Sequence, residues 1–203
     1  MQTDAAPTVI LASGSRPRAR MLANAGVPFE TDPASVDEAV IRTSMRAAGA
    51  DIADVAELLA ATKAQQVGRN HGNSLIVGAD QMLVCDGEWF DKPEDLQGAR
   101  DQLRKLRGRT HELISAICVV QGGVVAWHHV DRARITMRPF SESFIDDYVN
   151  KMGQNICATV GGYELEGLGA QLFSRIEGDY FTILGMPLLP LLDFLRGHGV
   201  IPE

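Results

Sequence analysis

Residues 74–89 read SLIVGADQMLVCDGEW, and their reading decides the class of the whole chain. A nearly unbroken apolar run from Leu75 to Cys85 is the signature of a strand buried on both faces. Asp86-Gly87 is a strong two-residue hairpin signal. Folding the chain back in that register sets Val84 opposite Trp89, Leu83 opposite Phe90 and Gln81 opposite Lys92, and Pro93 then ends the return strand. Asp80 and Gln81 are the two polar letters that interrupt the apolar run.

Outward from this strand, helical and extended patterns mix along the length. Residues 8–12 read as a buried strand and Arg16 to Ala25 as a helix capped by Ser15, with Pro17 in its first turn and Gly26 and Pro28 stopping it. FETDPASVDEA reads as an extended acidic loop. Residues 51–69 form the clearest helix, with Ile52, Val55, Ala56, Leu59 and Val67 on one face. EDLQGARDQLRKL is a second amphipathic helix. THELISAICVVQGGVVAWHHV gives two strands around Gly122-Gly123, and DRARITMRPF continues the sheet. SESFIDDYVNKM is a helix with a capping signal, Ser143 to Asp146 fitting the three-residue spacing better than Ser141. GGYELEGLGAQLF reads as tight turns between strands, and PLLPLLDFLRGHGV as an apolar helix closed by Gly197 or Gly199. The class is α/β with a mixed sheet.

Composition narrows the function. The 203 residues are enough for one large domain or two lobes sharing a core. A formal net charge of -7 argues against a nucleic-acid polymer as partner. The three cysteines form no CxxC pair, which points to reduced thiols in a cytoplasm. MQTDAAPT carries no basic leader and no apolar core, so neither a signal peptide nor a membrane contact is expected. The histidines show no HxxxH or HExxH spacing.

Three places could carry chemistry. LASGSRPRARML, residues 11–22, runs from strand through a Ser-Gly-Ser turn into a helix N-terminus, where free N–H groups and the helix dipole favour an anion. Arg18 could add a charge-assisted fork to a phosphate, although a capped helix with solvated arginines fits the same letters. Asp80, inside an apolar strand, needs a cation: Lys92 by the hairpin register, or a bound Mg²⁺ that Asp37-Glu38 would help to hold. Lys63 falls on the apolar face of its helix, which is costly unless it is paired or opens onto a cleft. Glu166 lies among the late glycines.

Taken together, these motifs resemble those of the Maf family of nucleoside triphosphate pyrophosphatases. The resemblance spans about residues 8 to 197 and is carried by LASGSRPRARML, the DE at Asp37-Glu38, AATKA around Lys63, GADQ at Asp80, DKP around Lys92, LRGRTHE, and GGYELEGLGAQLFSRIEGDYFTILGMPL. It implies a single Maf-like domain over residues 1–203, an α/β Maf/ITPase-like fold with two lobes around a cleft and a long mixed sheet. It implies metal-dependent cleavage between the α- and β-phosphates of a nucleoside triphosphate, giving monophosphate and pyrophosphate, in the cytoplasm, as house-cleaning of non-standard nucleotides. The family's phosphate-binding serine and arginine fall on Ser13 or Ser15 and on Arg18. Its catalytic acids and lysines fall on Glu38, Asp80, Lys63 and Lys92, with Asp80 and Glu38 holding Mg²⁺ or Mn²⁺, and its late polar residue falls on Glu166.

The chain departs from the family pattern in two places. Arg16-Pro17-Arg18 replaces the usual Pro-Arg-Arg order, and CATVGG stands where an Asp-Lys-Ala-Gly run is common. Gln81 and Glu166 look more like the subgroup acting on 7-methyl-GTP, where a carboxylate suits a cationic methylated ring. The resemblance also implies a homodimer. Its rival implication is a non-catalytic nucleotide sensor acting in septum formation.

Overall fold

The computed structural model describes residues 6–203; residues 1–5, the start of the MQTDAAPT stretch read above, lie outside the described residues. The described chain holds seven strands and seven α-helices in mixed order. The sheet runs β2-β1-β3-β5-β6-β7, with β4 added on β3. The strands are β1 Val9–Leu11, β2 Glu30–Thr31, β3 Leu75–Cys85, β4 Glu88–Phe90, β5 Thr110–Gln121, β6 Val124–Met137 and β7 Phe173–Glu177. β1 is parallel to β2 and to β3, whereas β3–β4 and β6–β7 are antiparallel, so the sheet is mixed as expected.

The hairpin at the end of β3 forms in the expected register, Leu83 against Phe90 and Val84 against Trp89. Asp86 at φ 49° and Gly87 at φ 81° supply the left-handed pair that a tight two-residue hairpin needs. The ladder stops at Phe90, however, so the expected pairing of Gln81 with Lys92 does not form. Two residues short of Lys92 the chain leaves the sheet, and Pro93 cannot donate to a ladder.

The helices are α1 Arg16–Asn24, α2 Glu38–Ala47, α3 Ile52–Gly68, α4 Leu96–Leu106, α5 Glu142–Met152, α6 Tyr180–Ile183 and α7 Leu188–Gly197. α1 carries its expected Ser15 cap. α5 is capped by Ser141, whose hydroxyl accepts from Phe144 N at 3.1 Å, and not by Ser143. α2 is the main departure: the supposed acidic loop turns helical at Glu38, with Asp37 as its cap. None of its residues is fully buried, and the half-buried side of Glu38, Ile41, Arg42 and Met45 holds only two apolar letters, too short a stripe to stand out from a loop. The late glycine-rich stretch forms short 3₁₀ turns at Gly153–Ala158, Val160–Gly162 and Leu168–Leu172.

The chain divides into two compact units. The first takes the described residues up to Asp80, with Ser115–Asp131 and Gly185–Glu203; the second takes Gln81–Ile114 and Arg132–Leu184. β3, β5 and β6 give residues to both.

In the first unit α3 lies against β3, and its buried face is the one expected, extended by Ala60 and Ala64. The contact is close enough to demand glycine. A Cβ on Gly78 would stand 2.1 Å from Ala60 O and 2.9 Å from Ala64 N. Both are backbone atoms and cannot rotate away, so Gly78→Ala is expected to cost about 3 kcal/mol, the upper end of ordinary overpacking. Urea unfolding measures this, and an unchanged midpoint would refute it.

In the second unit a core of Leu83, Leu103, Leu106, Leu113, Ile135 and Tyr148 lies between α4, α5 and the strands. His111 is 1% exposed here, its Nε2 sharing a 2.7 Å hydrogen bond with Tyr163 Oη. Burial pushes the imidazole down to about 4. The unfolded chain, with an ordinary imidazole, therefore binds a proton that the native state refuses. The native protein loses this margin as pH falls from the ordinary imidazole value toward the depressed one, amounting to about 2 kcal/mol between pH 7 and pH 5. Urea midpoints at the two pH values should separate less in His111→Gln than in the wild type; equal separations would refute this.

Candidate functional site

The first unit gathers a cluster of charged side chains from α1, α2, α3 and β3. Its centre is Lys63, in the middle of α3 and 8% exposed. Its ammonium lies 2.6 Å from Asp80 Oδ1 and 2.7 Å from Glu38 Oε1. The lysine that looked costly on an apolar face is thus paid for by two carboxylates from different elements. Asp80, 3% exposed, takes a cation from Lys63. The helix brings that ammonium to the strand because Gly78 lets α3 approach so closely.

Asp80 is held on one side only. Its Oδ2 is buried and has no hydrogen-bond partner. Leaving a carboxylate oxygen unsatisfied in the interior is expensive, and such an atom marks a place for a ligand. Glu38 is the more open acid, with a side chain 33% exposed. Burial raises its carboxyl, but Lys63 and Arg42 outweigh that and hold it below the usual carboxylate value. Arg42, one helical turn along α2, donates to Glu38 Oε2 and lies 3.9 Å from Asp80 Oδ1.

The basic stretch after β1 is now resolved residue by residue. Arg16 and Arg20 are exposed, while Arg18 is 9% exposed. Arg18 Nε donates to Gly185 O at 2.8 Å, and one terminal nitrogen donates to Ala79 O at 2.9 Å and Ser13 Oγ at 3.2 Å. Burial lowers its guanidinium, against the pull of Asp80 and Glu38. Arg18 therefore ties Ser13 at the end of β1 to the carbonyl just before Asp80. Ser13 Oγ also accepts from Ser15 N at 3.3 Å.

The family model for "Maf-like protein" matches residues 8–198. The chain belongs to the Maf family. Among the relatives of this Maf protein, the "Nucleoside triphosphate pyrophosphatase" of Paramagnetospirillum magneticum is 54% identical over 94% of this chain and 98% of its own length. The "7-methyl-GTP pyrophosphatase" of Rhizobium meliloti is 47% identical over 96% of this chain and 98% of its own length. A solved nucleoside-triphosphatase / dITP/XTP pyrophosphatase from Mycobacterium abscessus aligns over 96% of this chain and 98% of that one, at 16% identity and a TM-score of 0.45.

Of the residues singled out in the Maf sequence, Ser13, Ser15, Arg18, Glu38, Lys63 and Asp80 lie in the first unit. Gln81, Lys92 and Glu166 lie in the second. There Gln81 Nε2 donates to the carbonyls of Thr182 and Ile183 at 3.0 and 3.1 Å, while Lys92 and Glu166 are exposed.

Sequence reading missed two residues. Arg42 stands four positions after Glu38, the spacing of a helical ion pair, but only once 38–47 is known to be a helix. Gln66, one turn beyond Lys63, clamps the loop that delivers Glu38: its amide accepts from Ser35 N and donates to Ser35 O, both at 2.8 Å. His71 adds a second tie to that loop through Asp32 at 2.7 Å.

The cluster also suits a divalent cation. Mg²⁺ usually keeps several waters and takes one or two carboxylates plus substrate phosphates. Glu38 and Asp80 offer two carboxylates on a shared ammonium, and Asp80 Oδ2 is already buried and unsatisfied. Among the described residues no group of three or more His, Cys, Asp or Glu forms a full protein cage, so such an ion would depend on substrate oxygens. No described helix is long and apolar enough to cross a membrane.

Proposed function

We propose that this Maf protein is a nucleoside triphosphate pyrophosphatase that splits the bond between the α- and β-phosphates, with a divalent cation as cofactor. The single observation that carries the reading is Lys63 bridging Asp80 and Glu38 while Asp80 Oδ2 stays buried without a partner. The names of the relatives support the same activity. A sensor without catalysis has no need of that arrangement, and it is the less favoured reading.

In this reading the oxygen of a water attacks the α-phosphorus. The bond from that phosphorus to the bridging oxygen breaks, and pyrophosphate leaves. Asp80 orients the water and accepts its proton at Oδ2. Lys63 keeps the two carboxylates in place and offsets negative charge as pyrophosphate departs. Arg18 and Ser13 hold the backbone before Asp80 fixed. Glu38 and Asp80 would hold Mg²⁺ or Mn²⁺, which supplies neutralisation of the phosphate oxygens.

The finer reading is a preference for 7-methyl-GTP. It rests on Glu166, an acid suited to a cationic base, and on the Rhizobium meliloti relative's name. The parts of Gln81 and Lys92 rest on the family resemblance.

The test is incubation with Mg²⁺ or Mn²⁺ and dTTP, UTP, CTP, GTP or 7-methyl-GTP, quantifying both products. Metal-dependent release of monophosphate and pyrophosphate in equal amounts is expected. No release from any nucleotide would overturn the activity, and a stronger response to dTTP or UTP would overturn the preference.

A further inference from the structure

Glu38 meets two cations, and they are not equivalent. Lys63 comes from the buried face of α3, has a side chain 10% exposed and also holds Asp80 at 2.6 Å. It has nowhere else to go. Arg42 comes from α2, a helix that buries no residue, and its side chain is 19% exposed. It occupies Glu38 Oε2 while Lys63 occupies Oε1. Of the two, Arg42 is the cation that can leave.

The charge balance points the same way. Arg18, Arg42 and Lys63 stand against Glu38 and Asp80, an excess of one positive charge. Such a cluster attracts an anion and repels a free dication. As it stands, both oxygens of Glu38 are already used by the chain's own cations.

Resting on the pyrophosphatase reading above, we propose that Arg42 is the internal counter-cation of Glu38, competing with a divalent cation for that carboxylate, so that the cation enters with the triphosphate and not ahead of it. The triphosphate brings negative charge that draws the guanidinium from Glu38. The carboxylate it leaves then becomes available to the cation. Arg42 thereby sets the order of binding.

The experiment titrates Mn²⁺ into the nucleotide-free protein and reads free Mn²⁺ by its electron paramagnetic resonance signal. Arg42→Gln should bind Mn²⁺ about tenfold more tightly than the wild type, as expected for removing one charge at this range. Arg46→Gln, one turn further along α2 and exposed, controls for a general change of charge and should match the wild type. Glu38→Gln combined with Arg42→Gln should lose the gain.

The proposal fails if Arg42→Gln binds no more tightly than the wild type, including the case where neither binds measurably. It also fails if Arg46→Gln gains as much, or if the double variant keeps the gain. Product release by the wild type is measured separately. Its absence would remove the pyrophosphatase reading, whereas the Mn²⁺ order alone decides the role of Arg42.

Discussion

Asp80→Asn is expected to lower kcat by about a thousandfold, equivalent to about 4 kcal/mol of lost transition-state stabilisation. The substitution keeps the shape of the side chain and removes its charge. An amide nitrogen cannot accept a proton from water and is a poor ligand for a hard cation. Lys63 keeps Glu38 at 2.7 Å, so the buried ammonium is not stranded and the fold should persist. The measurement pairs product release with urea unfolding. Turnover near the wild-type rate in a folded variant would remove Asp80 from the chemistry.

Lys63→Met is the converse case, and its main effect falls on stability. Methionine fills much of the lysine stem's place on α3, so packing changes little. The loss is electrostatic: the Asp80 side chain is 4% exposed, and it loses the ammonium that lies 2.6 Å from its Oδ1. Removing one partner of a buried pair costs about 3–5 kcal/mol, because the remaining charge is left uncompensated. Glu38, one-third exposed and still held by Arg42, contributes far less to that loss. A double variant, Lys63→Met with Asp80→Asn, should recover most of the stability without recovering activity. If the single and double variants unfold at the same urea concentration, Asp80 is not the residue that Lys63 neutralises.

These two residues also mark how far the sequence could be read. Lys63 on an apolar helix face and Asp80 in an apolar strand were each visible as anomalies, because a charge in a hydrophobic pattern requires compensation. Their pairing with each other was not visible. The hairpin register pointed Asp80 toward Lys92, the nearer lysine along the β3–β4 hairpin. Lys63 instead reaches it from α3, a helix packed on the same strand, through the close approach that Gly78 permits. Arg42 was hidden for a different reason. Its helix only half-buries Ile41 and Met45, and hydrophobic periodicity reports poorly a helix with two apolar letters on its inner side.

The sequence by itself determined the mixed α/β class, the Asp86-Gly87 hairpin and its register, the helices with strong apolar faces, and the family. Each is written in local chemistry or in the order of short motifs, and neither requires knowledge of distant neighbours. Only the tertiary structure decided which of Arg16, Arg18 and Arg20 is buried, that Lys63 meets Asp80, and that Glu38 is shared by Lys63 and Arg42. Those are contacts between residues far apart in the chain or on an unannounced helix. Coulombic pairing depends on distance in space, which the spacing of letters does not encode.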